Sequence, residues 1–168
     1  MPKNKVLIPL NQSELSQQVL PHVEKFIPAS DNDLILFYVT NPPSNVGLGE
    51  PDLSAGYLPL PGEKNITPAL HPIYATQQED SIKAHVEAEL TPVTHRLKEA
   101  GYDVSLVVGF GKDPIDTILH EINERNINLV AMSTLARVGV TRFFFRNIAD
   151  TIAQEAKVPV LLAHPNGE

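Results

Sequence analysis

The 168-residue sequence contains no cysteine, so it predicts neither a disulfide framework nor thiolate chemistry and is compatible with a reducing compartment. It also has no apolar run long enough to span a membrane. The short apolar segment VLIPL that follows MPKNK is too short for the hydrophobic region of a signal peptide. We therefore expect a cytoplasmic protein that does not associate with membranes.

Basic residues are few: the chain has 13 Lys and Arg and 20 Asp and Glu, which gives a net charge of −7. This balance argues against general nucleic-acid binding, although it leaves room for a local basic patch. The six histidines are scattered without a His-x-x-x-His pair, so we expect no metal site. Neither a Gly-x-Ser-x-Gly elbow nor a Gly-x-x-x-x-Gly-Lys phosphate loop occurs, and we expect no enzyme.

Apolar residues make up 42% of the chain and charged residues 20%, values typical of a globular domain. One domain of this length can bury about 70% of its unfolded surface. Apolar segments that read as strands alternate with segments of helical period, and the strands are predicted at 6–10, 34–39, 104–108, 128–132 and 158–163. This alternation predicts one α/β domain with a doubly wound, five-stranded parallel sheet and helices on both faces.

Caps and prolines mark the predicted helices. Pro21, inside the first helical pattern, predicts a kink or a late start. A helix is predicted over 77–100, and Thr91-Pro92 within it can serve as the cap and first residue of a second segment. Asp113-Pro114 predicts the start of the third helix, with the aspartate as N-cap.

Residues 41–80 differ from the rest of the chain. They hold seven of the 15 prolines and four of the nine glycines, and they show no sustained period. A loop of this length in a compact domain is either functional or poorly ordered. We interpret it as a surface insertion within the single domain, and the alternative is a lid over a ligand pocket.

The segment 129–152 reads as a buried strand, a loop of small and basic residues, and a helix. Asn147 is predicted to open this helix, with Asp150 three residues later as in a capping box. In α/β proteins phosphate groups often bind where a strand feeds a helix through such a loop, because free N–H groups and the helix dipole point outward there. This segment is therefore the candidate ligand site.

The last predicted strand contains Pro159, which suits the edge of a sheet because proline cannot donate a hydrogen bond to a neighbour. Val158, Val160 and Leu162 nevertheless make this strand apolar, and an exposed apolar edge invites aggregation. Pairing with the same strand of a second copy solves the problem. We predict a homodimer through this strand, and the alternative is that helices or the Pro-rich segment cover it.

Four segments of the chain form a recognisable pattern: VLIPLNQSELS, LFYVT, GKDPIDTILHEI and, most specifically, NLVAMSTLARVGVTRFFFRNIADTIAQEAKVPVLLAHP. Through these segments the sequence resembles the universal stress protein family over nearly the whole chain. The resemblance implies a Rossmann-like sheet, a dimer built on the final strand and a role in the stress response.

Many members of that family bind ATP through Gly-x-x-Gly, nine residues, then Gly followed by Ser or Thr, together with an aspartate after the first strand. This chain carries Ser133, Ala136, Arg146 and Asn147 at the motif positions and Asn11 at the aspartate position. All five positions differ, as in family members that lack the motif. The resemblance therefore implies a degenerate nucleotide pocket, so we expect no cofactor, with ATP as the alternative.

Side-chain size and charge give two interpretations of this pocket. Glycine lets the backbone approach phosphate; Ser133 and Ala136 only narrow the space, whereas Arg146 adds bulk. Yet Arg137, Arg142 and Arg146 bring guanidinium groups that suit an anion. Two interpretations therefore remain: a pocket for a different anion, and a set of surface arginines that are simply solvated.

Pro9, Asn11 and Val39, near the ends of the first two predicted strands, complete the candidate pocket. Asn11 keeps a hydrogen-bonding group where the sheet order is expected to reverse, between the first and fourth strands. Capping the first helix is an equally good role for it. The apolar run 143–145 is interpreted as packing under the loop, with stacking on a base as the lesser alternative.

Three functional hypotheses follow. The preferred one is a dimeric, non-enzymatic stress-response module that acts through contacts with an unknown protein partner. The second is a sensor of an adenine nucleotide or another anion, with residues 41–80 closing over the ligand. A hydrolase that uses the same pocket ranks last, because no general base can be identified.

Overall fold

The computed structural model describes residues 1–11, 13–43, 72–134 and 141–164, and for residues 72–75 and 141–147 it describes the backbone. Five strands alternate with helices along these residues. The strands are β1 (Asn4–Leu10), β2 (Asn32–Thr40), β3 (Asp103–Phe110), β4 (Leu129–Ser133) and β5 (Val160–Ala163). A 3₁₀ helix (Glu14–Val19) leads into α1 (Leu20–Phe26), and the other helices are α2 (Pro72–Glu99), α3 (Pro114–Glu124) and α4 (Thr141–Glu155).

The strands form one parallel sheet in the order β3-β2-β1-β4-β5. β1 lies at the centre, between β2 and β4, so the chain winds outward from it in both directions. This arrangement confirms the predicted doubly wound α/β fold. It also places β5 at one edge of the sheet and β3 at the other.

Two apolar layers cover the sheet. On one face Val6 and Ile8 of β1 pack with side chains of α1 and α2, and on the other Leu7 packs with side chains of α3 and α4. These three residues have no exposed surface. The continuous apolar run of β1 thus follows from burial on both faces of the strand.

The first helix starts late, as Pro21 predicts. Ser13 is the N-cap of the 3₁₀ helix, and its Oγ accepts a hydrogen bond from the Leu15 N–H. α1 begins at Leu20, so Pro21 stands in its first turn, where an intrahelical N–H donor is not required.

The expected division of the second helix at Thr91-Pro92 is wrong. α2 runs without interruption over Pro72–Glu99 with Pro92 inside it. The Thr91 hydroxyl donates to the carbonyl of Glu87 at 2.6 Å, so it bonds back into the helix instead of capping a new segment. α2 also begins inside the predicted insertion 41–80, whose residues 44–71 lie outside the described part of the chain.

The start predicted for the fourth helix is also wrong. The sequence pattern predicts Asn147 as its N-cap, but α4 begins at Thr141 and Asn147 lies within it. Neither proline nor glycine occurs between Thr141 and Glu155, so the helix extends through the capping-box pattern of Asn147 and Asp150. By contrast, Asp113 caps α3 as predicted, because its Oδ1 accepts from the Ile115 N–H at 2.8 Å.

β5 begins at Val160, two residues later than predicted. Pro159 precedes the strand, and its carbonyl accepts a hydrogen bond from the N–H of Val130 at 3.0 Å. Proline therefore stands where the chain joins the sheet edge without having to donate. In the described part of the chain no helix is long and apolar enough to cross a membrane.

Candidate functional site

A cavity of about 530 Å³ opens at the carboxyl edge of the sheet. It lies where β1 and β4 end side by side, and the chain leaves these strands toward opposite faces of the sheet. Such a point, at which the strand order reverses, creates a crevice that open α/β sheets commonly use for ligands. The fold alone therefore accounts for the position of the cavity.

Four residues of the predicted site line this cavity: Pro9, Asn11, Val39 and Ser133. They come from the ends of β1, β2 and β4 or from the residue that follows β1. The structure thus brings together residues that are up to 124 positions apart in the sequence.

The remaining predicted site residues are not described in full. Ala136 and Arg137 lie outside the described residues, and Arg146 and Asn147 belong to the part of α4 for which the backbone is described. The same holds for the apolar run 143–145. Ile148, the next residue of α4, does line the cavity, so this helix passes along its wall.

Sequence reasoning missed several residues of the wall. These residues are Leu10, Ser13, Ser16, Thr40, Asn41, Gly111, Pro114, Ile118, Met132 and Ile148. Most of them stand at a strand end, directly after one, or in the first turns of the following helix. The signal that identifies Asn11 would have found them if applied to every strand, since carboxyl ends of parallel strands share one edge.

The turn after β1 is held by its own polar groups. Asn11 Oδ1 accepts from the Ser13 N–H at 2.8 Å. The Ser16 hydroxyl donates to the Ser13 carbonyl at 2.8 Å and accepts from the Asn11 N–H at 3.3 Å. Asn11 therefore supports the turn, while Ser13 caps the helix. The side-chain amide of Asn11 also carries an NH2 group, which can donate two hydrogen bonds.

Ser133, the last residue of β4, is a buried residue of the wall with 7% of its surface exposed. Its Oγ is shielded from solvent and has no hydrogen-bond partner among the described residues. A buried hydroxyl without a partner costs about 1–3 kcal/mol. This oxygen is therefore a high-energy feature of the free protein and lies in a residue of the cavity wall.

The start of α3 forms another part of the wall. The Gly111 N–H donates to the Thr40 carbonyl at 3.0 Å and ties α3 to the end of β2. Pro114 lines the cavity, but Asp113 Oδ1 already accepts from the N–H groups of Ile115 and Asp116. These helix N–H groups are occupied and are not free to bind an anion.

A second cavity, of about 640 Å³, lies near the amino ends of β2 and β3 and includes Asp33, Lys98 and Asp103 in its wall. The Lys3 ammonium lies 2.7 Å from an oxygen of Asp103 and 3.4 Å from Asp33 Oδ1. The hydrogen bond from Lys3 lowers the pKa of the Asp103 carboxyl. Because the two carboxylates of this wall, Asp33 and Asp103, already pair with Lys3, we assign the site to the first cavity despite its smaller volume.

No cluster suited to a metal ion occurs in the part of the chain that the structure describes, judged by groups of three or more His, Cys, Asp or Glu. Within the same residues, no side chain in the wall of the first cavity is charged. The described wall combines apolar surface with neutral hydrogen-bonding groups. Such a surface can bind a small organic molecule and orient it.

Solved structures of low sequence identity share this fold. The hypothetical protein MJ0577, the subject of a structure-based assignment of biochemical function, has a TM-score of 0.68 and 14% identity, with 100% of each chain covered. The universal stress protein UspA from Lactobacillus plantarum has a TM-score of 0.64 and 15% identity, covering 96% of this chain and 98% of its own.

A universal stress protein crystallised in complex with cAMP is also similar, with a TM-score of 0.59, 18% identity and 98% of each chain covered. No curated protein matches the sequence significantly. The sequence profile of the universal stress protein family, however, matches residues 3–164. With the sheet order and the position of the cavity, this match shows that the chain belongs to the universal stress protein family.

Proposed function

We propose that this universal stress protein is a non-catalytic binding protein that holds an adenine nucleoside or nucleotide in the cavity between the ends of β1 and β4. The cavity itself carries the proposal. Asn11 and Ser133, two of the five positions that differ from the ATP-binding pattern, form part of its wall without filling it.

The size and lining of the cavity support a small organic ligand. Its volume of about 530 Å³ falls within the roughly 300–1,000 Å³ of typical ligand sites. Val39, Ile118 and Met132 supply apolar surface, and Asn11, Thr40 and Ser133 supply neutral hydrogen-bonding groups. An apolar wall with a few polar groups suits the flat base and the hydroxylated sugar of a nucleoside.

Two relationships favour adenine in particular. The family resemblance implies ATP as the usual ligand, and one structural neighbour was crystallised with cAMP. The described wall fits the nucleoside part of such ligands, with Asn11 and Ser133 as its polar contacts. The phosphates of ATP would add several negative charges, for which Arg137 and Arg146 are the candidate partners in the sequence.

The neutral wall supports binding over catalysis. Hydrolysis of a nucleotide needs a base or a metal ion placed against the attacking water. The described residues of the wall offer hydroxyl and amide groups but no carboxylate, imidazole or ammonium group. We infer that the protein binds its ligand without converting it and acts through the bound state, and we place this activity in the cytoplasm.

A second candidate is a stress-response module that works through protein contacts alone, with no ligand. The edge position of β5 favours it, because an apolar edge strand is suited to pairing with a second copy of the chain. Both candidates include this homodimer and an unidentified protein partner. They differ in whether the cavity is used.

Calorimetric titration of the purified protein with adenosine, cAMP, Mg–ATP and inorganic phosphate separates the two candidates. We expect a micromolar dissociation constant for at least one adenine compound and no detectable binding of phosphate alone. Val39→Trp, which fills the cavity, should abolish this binding. The size-matched control Val104→Trp, on the edge strand β3, should preserve it.

Nucleotide that copurifies with the protein is measured in the supernatant after denaturation, because a bound compound would mask the titration. Circular dichroism verifies that both tryptophan variants fold. If no adenine compound copurifies and none binds below millimolar concentration, the binding function is wrong and the contact module becomes the better description.

A further inference from the structure

We infer that Ser133 selects the ligand of this cavity by forming a hydrogen bond through a hydroxyl that lacks a protein partner. The inference rests on the proposed function, since it concerns the same cavity. It assigns Ser133 an active role, although the residue stands where the ATP-binding motif has a glycine.

Ser133 differs from the other buried polar residues that the structure describes, which are Ser16, Asn32 and Thr134. The Ser16 hydroxyl bonds to the turn after β1, and the Asn32 amide donates to the Pro28 carbonyl at 2.8 Å. Ser133 Oγ alone among these four residues has no partner in the described part of the chain.

Thr134 provides the closest comparison because it follows Ser133 directly and is buried to a similar extent, with 5% of its surface exposed. Its Oγ1 lies 3.3 Å from the Ala163 carbonyl, to which it donates, and 2.8 Å from His164 Nδ1. Two neighbouring hydroxyls at the end of β4 thus differ in whether they have a hydrogen-bond partner in the described part of the chain. The fold satisfies one of them, and the other belongs to a residue that lines the cavity.

The chemistry of the hydroxyl restricts the ligand class. A serine hydroxyl donates one hydrogen bond and accepts others, and rotation between staggered χ1 rotamers redirects it without backbone movement. It carries no charge, and Met132 and Ile118 make the nearby wall apolar. The described wall offers no charged group to pair with the charges of a polyphosphate, and burial of unpaired charges is costly. Ser133 therefore favours sugar hydroxyls or a singly charged phosphodiester over a triphosphate.

The opposite interpretation is that Ser133 merely narrows a pocket built for glycine. Two substitutions separate the interpretations, since Ser133→Ala removes the hydroxyl and keeps Cβ, whereas Ser133→Gly removes both. If the hydroxyl binds the ligand, both variants weaken binding. If the side chain only crowds the ligand, Ser133→Ala leaves binding unchanged and Ser133→Gly strengthens it, most of all for Mg–ATP.

The experiment measures calorimetric affinities for adenosine, cAMP and Mg–ATP together with urea unfolding of the ligand-free proteins. We expect Ser133→Ala to weaken adenosine or cAMP binding about tenfold, equivalent to about 1.4 kcal/mol, without lowering its urea midpoint. The control Thr134→Val removes a satisfied hydroxyl next to the site, so it should lower the urea midpoint and leave affinity unchanged.

The outcomes distinguish this inference from the proposed function. If wild-type protein binds an adenine compound and Ser133→Ala binds it equally well, the inference is wrong and the proposed function stands. A lower urea midpoint for ligand-free Ser133→Ala also overturns the inference, because the hydroxyl would then have a partner in the free protein. If the wild type binds none of the three compounds, both are wrong.

Discussion

Gly111 shows how a single residue shapes the cavity. It lies between β3 and α3 in the cavity wall, and a Cβ built on it would be 1.9 Å from Thr117 Oγ1 and 3.1 Å from Thr117 Cβ. The threonine hydroxyl is itself fixed, since it donates to the Asp113 carbonyl at 2.6 Å. Close approach of α3 to the sheet therefore depends on the absence of a side chain at this position.

We predict that Gly111→Ala destabilises the protein by about 1–3 kcal/mol, because the added methyl group overpacks a site that cannot relax freely. Urea unfolding of the single variants and of Gly111→Ala with Thr117→Ala measures the coupling. The double variant should recover part of the loss, since the nearest clashing atom is gone. Strictly additive effects would contradict the proposed clash.

Lys3 and Asp103 allow a prediction about pH. The hydrogen bond between them raises the pKa of the Lys3 ammonium and lowers the pKa of the Asp103 carboxyl. The contribution of Asp103 to stability is present above its ordinary pKa of 3.8 and is lost as pH falls through the lowered value. The contribution of Lys3 is present below its ordinary pKa of 10.5 and is lost as pH rises through the raised value.

Substitution of Lys3→Met should return the pKa of Asp103 toward its ordinary value, as measured by NMR titration of the carboxyl carbon. The change in stability should be small, because the Asp103 carboxylate is exposed to solvent. Lys98→Met, which removes another lysine near the same edge of the sheet, serves as the control and should leave this pKa unchanged. An unaltered Asp103 titration in Lys3→Met would contradict the assignment.

At the scale of elements, local signals predicted the fold where they agreed with tertiary packing. Asp113-Pro114 marks the start of α3 correctly, because the cap, the proline and the apolar face begin together. Asn147 carries an equally good cap pattern, yet α4 starts six residues earlier. A capping box is a local preference, and a helix continues through it where the residues upstream also adopt helical backbone.

The second error concerns Pro92, which the sequence presents as a boundary and the structure places inside α2. Val86, Leu90 and Leu97 of this helix are buried on the sheet on both sides of the proline. Burial of one continuous apolar stripe stabilises the helix more than one missing hydrogen bond destabilises it. The free energy of this burial depends on contacts with the sheet, so it cannot be inferred from the residues around Pro92 alone.

The same comparison yields a prediction for Pro92→Ala. Proline inside a helix costs about 3 kcal/mol, and its restriction of the unfolded chain offsets about 0.4–1 kcal/mol of that. We expect the variant to be about 2 kcal/mol more stable in urea unfolding. The control Glu87→Ala, at an exposed position earlier in α2, should change stability by less than about 0.5 kcal/mol. An unchanged or lower midpoint for Pro92→Ala would show that the proline is accommodated without cost.

At the scale of the whole molecule, the site follows from topology more than from the motif. Pro9, Asn11, Val39 and Ser133 meet because parallel strands end at one edge and the strand order reverses at β1. The alternation of apolar and helical segments was sufficient to predict that edge. The partnerless hydroxyl of Ser133 could not be predicted, because satisfaction of a hydrogen bond depends on atoms from several elements.

The two edges of the sheet are not equivalent. β3 is eight residues long and contains exposed Asp103 and Ser105, whereas β5 has four residues, of which Val160, Leu161 and Leu162 are half-buried. Val160 and Leu162 pack toward the α3 and α4 face, and Leu161 packs toward the opposite face. A second β5 paired alongside would continue both apolar layers across a two-fold axis. This continuity favours β5 over β3 as the dimer edge.

We predict that the protein is a dimer in solution and that Val160→Lys converts it to a monomer, because a charged side chain on an edge strand opposes pairing. Sedimentation at micromolar concentration measures the mass, and circular dichroism verifies folding. Ser105→Lys places the same charge on the other edge and should leave the dimer intact. A monomeric wild type would remove the dimer from the proposed function. Dissociation by Ser105→Lys but not by Val160→Lys would move the interface to β3.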